Sequence, residues 1–242
     1  MQRRILRRTV RHRWYGAAAA ATAALLLTGF TTPVSSPGRP KPPIYIHFTH
    51  HPVPSYAQQQ ANDCEATALR MILAGRGIHR SDAQLLASIG VDLKHPHFGY
   101  SGPTSGDPYR AFVGSPNGSE SAGTGYGVFY PPVAAAATAN GVRVLVAQEN
   151  YSPAKLYAQL AAGHLAEVWI DYLWRAKGST SYQAYDGRWI PYSGPAEHAI
   201  TLTGVTPGGL EVNDPARGHY WISKTTFQAG YSTYRDMAVV VD

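Results

Sequence analysis

Cysteine is almost absent from this chain of 242 residues, which contains one, Cys64. A single cysteine excludes a disulfide within the chain and a zinc cage built from thiolates. The histidine pairs His50-His51 and His95-x-His97 lack the i, i+4 spacing and the neighbouring carboxylates of typical zinc sites. The sequence therefore predicts no cofactor and no dedicated metal ion.

A basic surface is also missing from most of the chain. The formal net charge is +6, but residues 1–42 hold eight of the 21 Lys and Arg residues and no acidic residue. The rest of the chain has 13 basic and 15 acidic residues, so no cationic face is expected there. Proteins that bind nucleic acid need such a face, and the composition excludes that class of function.

A long membrane-spanning run is lacking too. The apolar segment at residues 16–30 is too short to cross a bilayer comfortably, and it follows 15 residues with six arginines and no acid. This pattern predicts a signal peptide over residues 1–30, although an uncleaved membrane anchor remains an alternative because no clear cleavage site follows. We therefore expect a protein that is secreted or anchored to the outer face of the cytoplasmic membrane.

The remaining sequence predicts a linker and one domain. Pro, Ser and Gly dominate residues 31–43, a composition typical of a linker, and residues 44–242 have the length of a single domain. Helical patterns come mostly first and strand patterns mostly last, which predicts an α+β fold with an antiparallel sheet. We expect helices over residues 64–73, 81–89, 131–140, 152–162 and 223–229. We expect strands over residues 44–48, 142–146, 167–172, 198–205, 210–213 and 237–241. The stretches 95–130 and 173–197 show little periodicity and predict long loops.

Cys64 stands where a short polar loop runs into the first predicted helix. A thiol at a helix N-terminus experiences the positive end of the helix dipole, so it ionises more readily and becomes a better nucleophile. The alternative is a buried, inert cysteine, because free cysteine is among the most buried residue types. The position of Cys64 alone does not decide between these interpretations.

Three further residues supply the other groups that thiol catalysis needs. His198 opens the first strand of the late hairpin and is the candidate base, while Asp214 leaves the second strand and is the candidate orienting carboxylate. Because a hairpin brings its outer ends together, these side chains are expected to meet despite their separation of 16 residues. Gln58, six residues before Cys64, is the candidate donor to an oxyanion.

This order and spacing resemble those of papain-like cysteine peptidases, most closely the bacterial double-glycine leader peptidases that process bacteriocins. Members have Gln six residues before a Cys that opens a helix, then a late His, and Asp 16 residues further on. Gln58, Cys64, His198 and Asp214 match these positions, and the local runs around Cys64 and His198 are the most specific matches. The resemblance implies a papain-like α+β fold and a Cys-His-Asp site, here in a stand-alone exported member.

The sequence thus predicts a thiol hydrolase that cleaves peptide or isopeptide bonds in a peptide or protein substrate. It predicts membrane association only through the N-terminal segment, and it does not indicate an oligomeric state. Two alternatives remain open: a non-catalytic peptide-binding module on a peptidase-like fold, and a papain-like acyltransferase. Aromatic residues of the two long loops either line a substrate groove or pack onto the core. These residues are Tyr109, Phe112, Tyr126, Phe129, Tyr130, Trp174 and Trp189.

Overall fold

The structure, a computed structural model, describes residues 52–242. The predicted signal peptide or anchor at 1–30, the linker at 31–43 and the strand expected at 44–48 lie outside the described residues. None of the described helices is both long and apolar enough to span a membrane.

The described residues form helices and strands in a mixed order. The helices are α1 (Cys64–Gly75), α2 (Asp82–Ile89), α3 (Tyr130–Ala139), α4 (Pro153–Ala161) and α5 (Lys224–Thr233). The early strands are β1 (Val91–Asp92), β2 (Phe112–Val113), β3 (Val144–Gln148), β4 (Leu165–Asp171), β5 (Thr180–Gln183) and β6 (Trp189–Tyr192). The late strands are β7 (Glu197–Val205), β8 (Gly209–Asp214), β9 (Gly218–Ser223) and β10 (Ala238–Val241).

A six-stranded sheet organises the fold, with the strand order β3-β10-β4-β7-β8-β9. Every neighbouring pair in it is antiparallel, which confirms the predicted α+β class. Helices α1 and α3 pack on one face of the sheet, and α4 and α5 pack on the other. Side chains along β7 point alternately to the two faces of the sheet. Ala199 packs in the core on the α1 face, while Ile200 and Leu202 pack in the core on the opposite face.

Helix α1 is buried along almost its whole length, with 11 of its 12 residues in the interior. Two close contacts fix it against the sheet. The Thr201 hydroxyl on β7 donates to the Ala68 carbonyl at 2.9 Å. At the C-terminal end of α1, a Cβ on Gly75 would lie 3.2 Å from Leu165 Cδ1 on β4 and 2.9 Å from Val53 Cγ2, so the lack of a side chain permits this close approach. The packing holds the first turn of α1, and with it Cys64, beside the start of β7.

The stretches predicted as long loops contain regular structure, which is a correction to the sequence-based expectation. Residues 95–130 include β2, which pairs in parallel with β1, and their Phe112, Val113 and Tyr126 side chains are buried. Residues 173–197 include the β5–β6 hairpin. Only Tyr182 of β5 is buried, so the strand carries almost no apolar alternation for sequence reasoning to detect.

Candidate active site

Cys64 is the first residue of α1, and its side chain is buried at the base of a cleft, with 5% exposed. The thiol donates to the Glu65 carboxylate at 3.4 Å and accepts the Ala199 N–H at 3.5 Å. Within residues 52–242, no hydrogen bond joins it to the His198 ring. In this position, the thiol is turned toward carboxylates rather than toward the candidate base.

These surroundings oppose ionisation of the thiol. Burial raises the pKa of Cys64 well above its ordinary value, and the negative charges of Glu65 and Glu197 raise it further, while the Ala199 N–H acts in the opposite direction. In the position described, burial and these two acids therefore oppose the predicted effect of the helix N-terminus on the thiol.

His198 and Asp214 are brought together by the β7–β8 hairpin. The His198 Nε2 donates to Asp214 Oδ1 across 2.8 Å, and both side chains are buried. Asp214 also accepts the Tyr220 hydroxyl at 2.7 Å and the Ala216 N–H at 2.8 Å. Burial alone would raise the pKa of Asp214, but the hydrogen bonds and the His198 ring hold it below its ordinary value. The carboxylate thus stays ionised and fixes the imidazole.

This pairing decides which nitrogen of His198 is available for chemistry. A carboxylate only accepts hydrogen bonds, so the proton lies on Nε2 and Nδ1 is left with a lone pair. The ring is also supported edge-to-face by Tyr172, with 5.1 Å between ring centroids. The Arg217 guanidinium in turn lies over the Tyr172 ring, 3.8 Å from its centroid. Aromatic packing and the carboxylate together restrict rotation of the imidazole.

Three of the four predicted site residues line one cleft of about 610 Å³, namely Gln58, Cys64 and His198. Asp214 lies behind His198. One part of the cleft lining comes from Ser119, Glu120 and Ser121 in the segment that was expected to be a loop. None of the seven aromatic residues singled out from the sequence lines this cleft, and Phe112, Tyr126 and Phe129 are buried in the core.

Gln58 stands at the cleft with its amide already engaged. Its Nε2 donates to the Gln60 carbonyl at 2.9 Å and to the Ala61 carbonyl at 2.8 Å. Its backbone N–H donates to Pro215, one residue after Asp214, at 3.0 Å. The side chain therefore shapes the turn that leads into α1, and it must release at least one of these carbonyls before it can donate to a substrate.

A sequence model of the Peptidase_C39-like family matches residues 50–239, most of the chain. The chain belongs to this family. No curated protein matches it in a sequence comparison. The family is one of cysteine peptidases, and membership supports that general activity here.

Solved structures of such peptidases are similar to this fold. A C39-like peptidase from Bacillus anthracis matches with a TM-score of 0.65 and 22% identity, covering 78% of this chain and 94% of that chain. A double-glycine motif protease of an AMS/PCAT transporter, in complex with the leader peptide, matches with a TM-score of 0.44 and 17% identity. The match covers 79% of this chain and 91% of that chain. The peptidase domain of Streptococcus ComA, a bifunctional ABC transporter in quorum sensing, matches with a TM-score of 0.46 and 13% identity. The match covers 78% of this chain and 96% of that chain.

Sequence reasoning missed the acidic side of this C39-like site. Glu65 follows Cys64 and Glu197 precedes His198, and both are buried together with Glu167 on β4. Burial raises the pKa of Glu65 to about 8, although its carboxylate accepts the Val128 N–H at 2.6 Å. A usable signal was present only for Glu167, which lies inside the otherwise apolar strand β4, where a charged side chain is costly to bury.

Proposed function

We propose that this C39-like protein hydrolyses peptide or isopeptide bonds, with Cys64 as nucleophile, His198 as base and acid, and Asp214 as the group that orients His198. The supporting observation is the cleft, whose lining contains both the single thiol of the chain and a buried imidazole that a carboxylate holds in one tautomer. Such an arrangement is the general requirement for an activated thiol.

The proposed reaction begins with rotation of the thiol. Turning Cys64 about its Cα–Cβ bond into another staggered rotamer moves the sulfur away from Glu65 and toward His198. Nδ1 of His198 then accepts the thiol proton, which gives a thiolate and an imidazolium that Asp214 stabilises. Tyr220 holds the second oxygen of Asp214, so the carboxylate keeps its orientation while the ring gains charge.

The thiolate attacks the substrate carbonyl carbon, and the carbonyl π electrons move to oxygen. Two donors are proposed for this oxyanion: the Cys64 N–H, which has no partner within the first turn of α1, and the Gln58 amide. His198 returns its proton to the leaving amine as the C–N bond breaks. Water then attacks the thioester with His198 as base, which releases the acid and restores the thiol.

The same proposal places the protein outside the cytoplasm. The basic residues 1–15 and the apolar segment 16–30 support export through a signal peptide, or retention through an anchor. Mass spectrometry of the protein from culture medium and from membranes tests this. A shortened N-terminus or membrane attachment is expected, and an intact chain found only in the cytoplasm would contradict it.

Peptide hydrolysis is tested by incubating the full chain with a peptide library and identifying the products by mass spectrometry. Wild-type protein is expected to cut a subset of peptides, and Cys64→Ala to cut none. The control is His219→Ala, an exposed histidine that pairs with Glu211 and lies outside the cleft. Cleavage that survives Cys64→Ala would disprove the proposal.

One observation favours a second candidate function, a non-catalytic peptide-binding module. The thiol donates to Glu65 and has no hydrogen bond to His198 within the described residues. If this arrangement persists when a peptide enters the cleft, the chain binds without cleaving. Library peptides that are retained by the wild-type protein but never cut would support this function over hydrolysis.

A further inference from the structure

The acidic side of Cys64 holds three potential metal ligands in one place. The thiol and one carboxylate oxygen each from Glu65 and Glu197 all lie within 4.8 Å of one another, and all three residues are buried. The sulfur and the nearer Glu65 oxygen are 3.4 Å apart. Adjacent ligands of one tetrahedral ion, with bonds of about 2.3 Å to sulfur and 2.0–2.2 Å to oxygen, are separated by roughly this distance.

Glu197 is the independent sign that a ligand belongs here. Glu197 is only 4% exposed, yet neither of its carboxylate oxygens accepts a hydrogen bond from any described residue. Burying a carboxylate without a partner is expensive, so such groups are usually paired with a cation or coordinate a metal. No salt bridge among residues 52–242 involves Glu65 or Glu197.

The nearby residues that the structure describes add further carboxyl groups and no cation that pairs with Glu65 or Glu197. The Glu120 carboxylate accepts the Glu197 N–H at 3.3 Å. Both carboxyl oxygens of Glu167 lack hydrogen-bond partners among the described residues. The positive charge of Lys177 acts on Glu120. Its ammonium group already pairs with Asp171 at 3.0 Å and donates to the Ser193 carbonyl at 2.9 Å. A bound divalent cation would supply the partner that these carboxyl oxygens lack and would offset their charge when they ionise.

Gly127 leaves the space in which the two carboxylates converge. A Cβ at this position would clash with Glu65 Oε1 and would lie 2.6 Å from Glu197 Oε2. Both oxygens therefore reach the same small region beside a backbone without a side chain. Any larger residue would displace at least one of the two carboxylates.

We infer that Cys64, Glu65 and Glu197 form a binding site for a divalent cation of the zinc class, behind the cleft. A thiolate ligand favours zinc over magnesium or calcium, which prefer oxygen ligands alone. Cys64 and Glu197 both line the cleft, which gives the ion a path from solvent. Binding replaces the thiol proton, which passes to solvent, with a metal–sulfur bond. The sulfur is then held away from His198, so the ion acts as a reversible block on the nucleophile.

Two measurements on the full chain test the site without using peptide hydrolysis. The first is the rate of Cys64 alkylation by iodoacetamide in increasing Zn²⁺, and the second is the ultraviolet charge-transfer band that forms when Cd²⁺ binds a thiolate. Zn²⁺ is expected to slow alkylation and Cd²⁺ to give the band. Glu197→Gln, which keeps the shape of the side chain, is expected to weaken both effects at least about tenfold.

Matched variants make the result decisive. Glu65→Gln removes the other carboxylate independently and is expected to behave like Glu197→Gln. The control is Glu211→Gln. Glu211 is half-buried on β8, pairs with His219 on β9 and does not line the cleft, so this substitution is expected to change neither effect. His198→Ala is expected to leave metal protection intact. Absence of protection, or protection that survives Glu197→Gln and Glu65→Gln but is lost in His198→Ala, would place the ion elsewhere and overturn the inference.

Discussion

At the scale of single residues, the reactivity of this protein depends on which neighbours the Cys64 sulfur has. On one side are Glu65 and Glu197, which disfavour the thiolate, and on the other is the cleft with His198. The motif Gln-Cys-His-Asp was recognisable in the sequence because its members have fixed spacings. The competing carboxylates were not recognised, because burial of a particular acid depends on packing between α1, β7 and the segment around Gly127.

Gln58→Ala tests the proposed oxyanion donor. Removing one such donor typically lowers kcat by about 100-fold or more, and we expect a loss of that size with a much smaller change in KM. Steady-state kinetics on a cleaved peptide measures this. The control is Gln59→Ala, an exposed neighbour. If Gln58→Ala lowers the melting temperature but leaves kcat unchanged, the amide only stabilises the turn before α1.

Tyr220→Phe tests the support of Asp214. The substitution removes the hydroxyl that donates to Asp214 Oδ2 at 2.7 Å and leaves the ring in place. A hydrogen bond to a charged group contributes about 2 kcal/mol, so kcat/KM is expected to fall roughly 10- to 100-fold.

The same substitution at Tyr157, whose hydroxyl bonds Gln228 away from the cleft, is the control for Tyr220→Phe. Both variants are measured with one cleaved peptide under identical conditions. Equal kcat/KM values for the two variants would show that Tyr220 does not position Asp214.

At the scale of helices and strands, the sequence was informative where a pattern is strong. Helix α1 and the β7–β8 hairpin were predicted within two or three residues of their observed bounds, and they position Cys64, His198 and Asp214. Strand β9 was missed because exposed Trp221 lies between half-buried Tyr220 and buried Ile222, so its alternating burial is not matched by an alternation of polar and apolar residues. Strand β5 is short and mostly polar, and β6 is short and contains Pro191, so neither has a typical strand pattern. Both exist because they pair with each other, which local pattern does not reveal.

Asp171, at the end of β4, is expected to make stability depend on pH. Its buried carboxylate accepts hydrogen bonds from Arg175 at 3.0 Å and pairs with Lys177 at 3.0 Å. Burial would raise the pKa of Asp171, but these partners lower it below its ordinary value. Its contribution is therefore complete above the unfolded pKa of about 4, and it is lost as the pH falls through the lower folded pKa.

Asp171→Asn measures that contribution. Urea unfolding at neutral pH is expected to show a loss of about 2 kcal/mol, the usual value for hydrogen bonds to charged groups. The loss should shrink toward zero as the pH falls below about 4, because the wild-type carboxyl becomes neutral as well. A difference between wild type and variant that is constant from neutral to acid pH would contradict this role.

At the scale of the whole molecule, the chain is a C39-like domain whose cleft lies beside the N-terminal end of α1. The family could be recognised from the order of four residues, and the fold class from the order of helices and strands. The parts that could not be predicted depend on long-range contacts. They include the folded segment around residues 112–127, which forms one side of the cleft, and the acidic cluster behind Cys64.

The proposed mechanism requires His198 to activate Cys64, which can be measured by alkylation of the native full chain. Wild-type protein, His198→Ala and the control His219→Ala are treated with iodoacetamide at neutral pH in the presence of a metal chelator, and labelling is followed by mass spectrometry. Wild type and His219→Ala are expected to be labelled at equal rates, at least about tenfold faster than His198→Ala. Equal labelling of all three proteins, or no labelling until the protein unfolds, would contradict it.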